Sequence, residues 1–143
     1  TYKKEIIDTM IPYDLTFKHD KFSSSKFNVL RGIHGDYKSW KLVTCIYGSI
    51  KQVVVDMRKD SISYLQWESF DLDDKNKLMI LLPPGMGNAF YVKSKVALYH
   101  YKLAYSGEYI DADKQFTIAW NDHRFNIDWP TDNPVLSERD RSA

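Results

Sequence analysis

The sequence predicts an all-β fold, a double-sheet jelly roll with minor helix. Short runs of β-branched and aromatic residues fill the middle of the chain, turn signals break them at intervals suited to a sandwich or barrel, and 15% of the residues are aromatic. Pro, Gly and Ser are scattered, so no linker, repeat or low-complexity stretch divides the 143 residues. A single domain over residues 1–143 is expected, and 43% hydrophobic content gives it a core large enough to fold alone.

The elements follow in chain order. Tyr2 to Met10 places Ile6, Ile7 and Met10 at helical spacing, with Pro12 at or beyond its end. From Trp40 to Tyr47 the residues alternate, Leu42, Thr44 and Ile46 on one side and Lys41, Val43, Cys45 and Tyr47 on the other. Gly48-Ser49 then turns the chain. Ile50 to Met57 sets Lys51, Val53 and Val55 against Gln52, Val54 and Asp56, and the two runs together read as a hairpin. Further strands are expected at Tyr64 to Leu72, Lys77 to Leu82, Ala89 to Val92 and Val96 to Ala104. In the last, Ala97, Tyr99, Tyr101 and Leu103 share a face. Pro83-Pro84-Gly85-Met86-Gly87-Asn88 makes a sharp turn, because proline fixes φ and glycine permits left-handed geometry.

Charge narrows the choice of partners. The net charge is +1, from 20 Lys and Arg against 19 Asp and Glu, with no block of like sign. Nucleic acid and membrane surfaces therefore have no electrostatic support, and a small molecule is the expected partner. The single Cys45 cannot form an internal disulfide, and no apolar run approaches the roughly 20 residues of a membrane span or resembles a signal peptide. A cytoplasmic location is expected.

Two residues suggest chemistry. His34 directly follows Arg31-Gly32-Ile33, and Asp140 supplies a carboxylate near the far end. An oriented neutral imidazole, which ordinarily titrates at about 6.5, removes protons at neutral pH, so abstraction beside a carbonyl is the leading idea. Metal chemistry is not expected. Jelly rolls of the cupin type that bind metal carry His-x-His on an early strand and a histidine after a Pro-x-Gly turn; here Gly35-Asp36 follows His34, and the later position is Asn88.

Eight segments in order along the chain carry a family resemblance. They are Arg31-Gly32-Ile33-His34, Lys41-Leu42-Val43, Val54-Val55-Asp56-Met57-Arg58, Pro84-Gly85, Tyr101-Lys102, Trp120-Asn121-Asp122, Ile127-Asp128-Trp129-Pro130 and Leu136-Ser137-Glu138-Arg139-Asp140. Together they resemble the nucleotide-sugar 4-keto 3,5-epimerases, best known from dTDP-rhamnose synthesis. Gly32-Ile33-His34-Gly35-Asp36, Lys41-Leu42-Val43-Thr44-Cys45 and Gly87-Asn88-Ala89 look most similar to the branch acting on GDP-4-keto-6-deoxy-heptoses for bacterial capsules.

The resemblance implies a cupin-like jelly roll, a homodimer and no cofactor. It implies His34 as base, Tyr101 as the acid on the opposite face of the sugar, and Asp140 as the carboxylate that stabilises the imidazolium. Lys41 would hold the 4-oxygen as it becomes an enolate, and Arg31 would grip phosphate or the same oxygen. His19 falls where the family often has a polar residue touching the sugar. Asn88 stands where many hexose epimerases have histidine, and Gln52 where they often have aspartate. Asn88 cannot titrate, so its role becomes sugar binding, and the enzyme is expected to invert C3 with or without C5. The family's early Asp-x-Arg-Gly strand is not in the sequence. A sugar-nucleotide 3,4-ketoisomerase is disfavoured by Gly35-Asp36, and a binding module without turnover by the intact His34, Tyr101 and Lys41 set.

Each residue also has a plainer reading. His34 would be a half-buried core histidine, Tyr101 part of an aromatic run, Lys41 an edge-strand lysine and Asp140 a frayed terminal residue. His100 and His123 read as structural or surface residues. Trp40, Trp67, Trp120 and Trp129 read as core or interface residues, although a nucleobase can stack on an aromatic face.

Overall fold

The computed structural model describes residues 3–143. Nine strands lie among them: β1 (Phe17–Lys26), β2 (Leu30–Gly35), β3 (Trp40–Tyr47), β4 (Ser49–Asp56), β5 (Trp67–Asp73), β6 (Met79–Leu82), β7 (Met86–Val92), β8 (Val96–Ala104) and β9 (Phe116–Thr117). They form two antiparallel sheets, one in the order β1-β8-β3-β6 and the other β5-β4-β7-β2-β9. Helix is confined to single turns, including α1 (Lys4–Ile7) and α2 (Glu138–Arg141). The chain is mostly β, as expected.

The expected helix over 2–10 shrinks to α1 and a 3-10 turn at Asp8–Met10; Tyr2 lies outside the described residues. Its apolar spacing buries nothing, since Ile6 and Met10 remain half exposed, and without a packed face a short helix does not propagate. The expected hairpin is also absent. β3 pairs with β8 and β6, whereas β4 pairs with β5 and β7, so Gly48 carries the chain from one sheet to the other. Three bonds hold that corner: Gly48 N–H donates to Asp74 Oδ2 at 2.9 Å, Asp74 N–H returns to the Gly48 carbonyl at 3.1 Å, and Ser49 N–H donates to Ser94 Oγ at 2.9 Å. Gly48 has φ +81, and a Cβ there would fall 2.2 Å from the Val96 carbonyl.

The core between the sheets joins Val43 and Cys45 of β3, Ile50 of β4, Leu72 of β5, Phe90 and Val92 of β7, and Ala97 and Tyr99 of β8. A second cluster covers the outer face of the larger sheet. Ile33, Val53, Val55 and Ala89 are capped there by Phe125, with Trp67, Ile127 and Trp129 packed against it. Trp67 Nε1 donates to the Phe125 carbonyl at 2.7 Å and Trp129 Nε1 to the Trp120 carbonyl at 2.9 Å, so these indoles pin the C-terminal segment. Buried on both faces, β4 reads Val53-Val54-Val55 rather than alternating. The core does not fill the sandwich at the end where Lys41, Tyr101 and His34 lie, which leaves a cavity between the sheets.

Candidate active site

Five strands build the cavity. β1 contributes Lys21 and Ser23, β3 Lys41, and β8 Tyr99 and Tyr101; from the facing sheet β2 contributes Arg31 and His34, and β7 Asn88 and Phe90. The segment after β8 adds Tyr109, Asp111 and Gln115, and the last turn adds Arg139. Tyr101 points inward because it follows Tyr99 at a spacing of two, on the face that also buries Ala97 and Leu103. Lys41 points inward by the same periodicity with Val43 and Cys45. It lies on a central strand, not an edge.

His34 and Asp140 meet across 106 residues of sequence, Nε2 to Oδ1 at 2.5 Å. Asp140 is 3% exposed and its carboxylate is firmly held. Its Oδ2 accepts from the Gly32 N–H at 3.2 Å, and its own N–H donates to Ser137 Oγ at 3.2 Å, the N-cap bond of α2. Gly32 has φ +130, and a Cβ would fall 2.5 Å from that of Ala89, so only glycine lets β2 approach β7 here. Burial pushes the Asp140 carboxyl up, but the His34 bond and charge, with the Gly32 and Ser137 bonds, outweigh it and hold the pKa below the usual value. An ionised carboxylate only accepts, so Nε2 carries the proton and Nδ1 keeps the lone pair of a base.

The other groups are tuned differently. Burial lowers the Lys41 pKa, and the charges of Arg139 and Lys21 add to that against the opposing pull of Asp36. Its ammonium makes no hydrogen bond or ion pair with any described residue, which leaves three donors for a ligand. Burial raises the Tyr101 pKa, with Tyr109 alongside, so this phenol keeps its proton well beyond neutral pH. Arg31 Nε donates to Ser25 Oγ at 2.9 Å, fixing the guanidinium against β1. Arg139 is anchored to Thr117 Oγ1 at 2.8 Å and Gln115 Oε1 at 3.3 Å. Lys21 donates to Tyr109 Oη at 2.9 Å.

The structure thus gathers His34, Lys41, Tyr101, Arg31 and Asn88 around one cavity, with Asp140 behind His34. His19 is not in the wall. Its Nδ1 meets Tyr105 Oη at 3.1 Å and its ring packs edgewise on Tyr109 at 4.8 Å, so Tyr109 stands between it and the cavity. His100 faces outward, bonded to Asp20 at 2.9 Å and stacked on Phe22. None of the four tryptophans lines the cavity. Among the described residues, no cluster of three His, Cys, Asp or Glu side chains is placed to hold a metal ion. Lys21, Tyr109 and Arg139 are wall residues that the sequence did not mark. Arg139 sits beside Asp140 in a segment already singled out, which was the available signal.

The family model for dTDP-4-dehydrorhamnose 3,5-epimerase matches residues 1–143. The chain belongs to that family. A relative named dTDP-4-dehydrorhamnose 3,5-epimerase from Escherichia coli K12 is 35% identical over 144 residues, covering 98% of this chain and 76% of the relative. A Streptomyces niveus relative named dTDP-4-dehydrorhamnose 3-epimerase is 38% identical over 124 residues, 85% of this chain and 58% of its own. The crystal structure of an epimerase from Legionella pneumophila, described as a complex with dTDP-4-keto-L-rhamnose, superposes with a TM-score of 0.90 at 31% identity, covering 100% of this chain and 76% of that one. As a member of the dTDP-4-dehydrorhamnose 3,5-epimerase family, the protein is a nucleotide-sugar epimerase with the family's cupin-type jelly roll. No helix among the described residues is long and apolar enough to cross a membrane.

Proposed function

We propose that the protein is a dTDP-4-keto-6-deoxy-hexose 3,5-epimerase, acting through an enolate. The observation that carries this reading is the His34–Asp140 pair opening onto a cavity that also holds Lys41 and Tyr101. The 4-keto group acidifies the hydrogens on C3 and C5. His34 Nδ1 removes one, and Asp140 stabilises the imidazolium that results. Lys41 meets the 4-oxygen as negative charge develops there, in a buried setting where each donor counts for more than in water. Tyr101 returns a proton from the other face, leaving the carbon inverted. Lys21, Arg31 and Arg139 take the diphosphate, an anionic group that suits a cationic wall in a chain of net charge +1.

The relatives above are named for dTDP-linked sugars, which favours that nucleotide over the GDP-linked heptose suggested by Gly35-Asp36 and Gly87-Asn88. The GDP-heptose reading, with a role in capsule synthesis, is therefore the second one. Inversion at C3 alone draws support from the Streptomyces niveus relative's name. A homodimer is the proposed assembly.

Incubation with the dTDP-4-keto-6-deoxy-hexose in heavy water tests the reading. Deuterium at C3 and C5 is the expected result, and at C3 alone marks a 3-epimerase. Exchange only with the GDP-heptose moves the second reading to first. No exchange with either substrate overturns the enzyme mechanism.

A further inference from the structure

Gln52 and Asn88, the two neutral residues standing where the resemblance places aspartate and histidine in many hexose epimerases, are bonded to each other. Gln52 is fully buried on β4, Asn88 lines the cavity from β7, and Tyr99 reaches both from the opposite sheet. One backbone atom fixes how these amides point. The Val53 carbonyl only accepts, and it lies 3.3 Å from the Gln52 amide, so the Gln52 group facing it is Nε2. Gln52 Oε1 is then turned to Tyr99 Oη, which donates to it at 2.9 Å. The remaining Nε2 proton goes to Asn88, whose facing atom must therefore be the acceptor Oδ1, 2.5 Å away. Tyr99 Oη also lies 3.2 Å from that oxygen. Burial raises the Tyr99 pKa, so the phenol keeps its proton and its place as donor.

The consequence falls on the other end of Asn88. With Oδ1 turned into the protein, Nδ2 makes no hydrogen bond to any described residue, and it belongs to a residue paired across the sheet with His34. We propose that Gln52, Tyr99 and the Val53 carbonyl act as positioning groups that lock Asn88 Nδ2 toward the cavity as an uncharged double donor. The ligand group it selects is a sugar oxygen, hydroxyl or carbonyl, beside the carbon that His34 deprotonates. This rests on the epimerase reading for the identity of the ligand and on hydrogen-bond logic for the orientation. An unpaired amide in a wall strongly rejects a ligand lacking its partner oxygen, because the donor is then left unsatisfied.

Side-chain amide NMR separates the two parts. In the free ¹⁵N-labelled protein, with the Asn88 and Gln52 signals assigned by their loss in Asn88→Asp and Gln52→Met, the Gln52 amide protons should exchange with water at least about tenfold more slowly than those of Asn88. The reverse order overturns the proposal whatever the protein's substrate is. Adding dTDP-glucose should then shift the Asn88 amide signals, and adding dTDP alone should not; equal shifts overturn the sugar contact. In binding measurements, Asn88→Asp should lower affinity for dTDP-glucose about tenfold relative to dTDP, and Tyr99→Phe, which keeps the ring stacked on Phe90, about threefold. Equal losses for dTDP and dTDP-glucose make the network merely structural and overturn the positioning role. Absence of deuterium exchange into any 4-keto sugar nucleotide by the wild type overturns the epimerase reading while leaving the amide-exchange result standing.

Discussion

An imidazole works as a base through the nitrogen that its partner leaves free, and in the proposed mechanism Asp140 makes that choice for His34. Asp140→Asn keeps the size and burial of the side chain but can turn an NH₂ toward Nε2, which moves the ring proton to Nδ1 and removes the base. Deuterium wash-in should fall roughly 10³-fold with near-normal binding of dTDP; less than a tenfold loss would mean that Asp140 does not set the tautomer. His34→Asn should abolish exchange at every carbon. In the same mechanism Lys41 sets an alkaline limit. Its pKa is lowered by burial, so the ammonium is lost on raising pH before an ordinary lysine would lose it, whereas Tyr101, shifted upward, is still protonated there. The alkaline limb of kcat/KM should therefore belong to Lys41 and move to higher pH in Lys41→Arg, whose guanidinium does not titrate in this range. An unmoved limb would assign it to another group.

Among the elements, α2 shows how little structure a site can depend on. It is one turn long, capped by Ser137, and its N-cap bond is made by the backbone of Asp140 itself. Ser137→Ala removes the cap at a cost of about 1 kcal/mol, a small change for the whole domain but one concentrated on the carboxylate. Calorimetry should show Tm lowered by only a few degrees, while kcat drops more than KM changes; a fall in Tm with full activity would separate the cap from catalysis. Such a turn is hard to read in a sequence, because four residues have no periodicity, and Asp140 was found through its motif instead. β8 was legible to the residue, since Ala97, Tyr99 and Leu103 alternate inward. β1 was not, because its exposed face and its Ser23-Ser24-Ser25 run resemble a loop, and with it went Lys21. The Trp40–Tyr47 strand was found, and the expected Ile50 to Met57 run falls one residue from the observed Ser49–Asp56, but their pairing was not found. A short Gly-Ser link fits both a hairpin and a sheet-crossing corner, and the bonds to Asp74 and Ser94 that favour the corner come from distant sequence. His19 was misplaced for a similar reason: strand alternation puts it on the right face, and Tyr109, arriving from another segment, covers it.

For the molecule as a whole, charge placement matters more than charge total. At acid pH, two carboxyls work together. Asp56 is held well below the usual carboxylate range chiefly by the Arg58 guanidinium, and Asp140 is lowered as well. Groups with depressed folded-state pKa values contribute stability above their unfolded value near 3.8 and lose it as pH falls through the folded value. Acid unfolding should therefore set in below about pH 4, and Asp56→Asn should flatten the dependence in that window, as followed by denaturant midpoint against pH; an unchanged slope would remove Asp56 from the account. At neutral pH the same uneven placement acts on ligands. Lys21, Arg31, Lys41 and Arg139 converge on the cavity with Asp111 as the acidic side chain in its wall, although the whole chain carries only +1. A diphosphate entering there replaces mutual repulsion between cations by charge-assisted hydrogen bonds, each worth about 1.5–3 kcal/mol. Arg139, already braced by Thr117 and Gln115, would give such a bond with little ordering cost. Affinity for dTDP should weaken as salt rises through the range where the Debye length drops below about 10 Å. Arg139→Gln should weaken binding roughly tenfold or more at low salt and flatten the salt dependence, because the charge that salt screens is gone. Calorimetric titration at several salt concentrations reads both effects, and an Arg139→Gln protein with wild-type affinity and an unchanged salt slope would place the diphosphate elsewhere in the cavity.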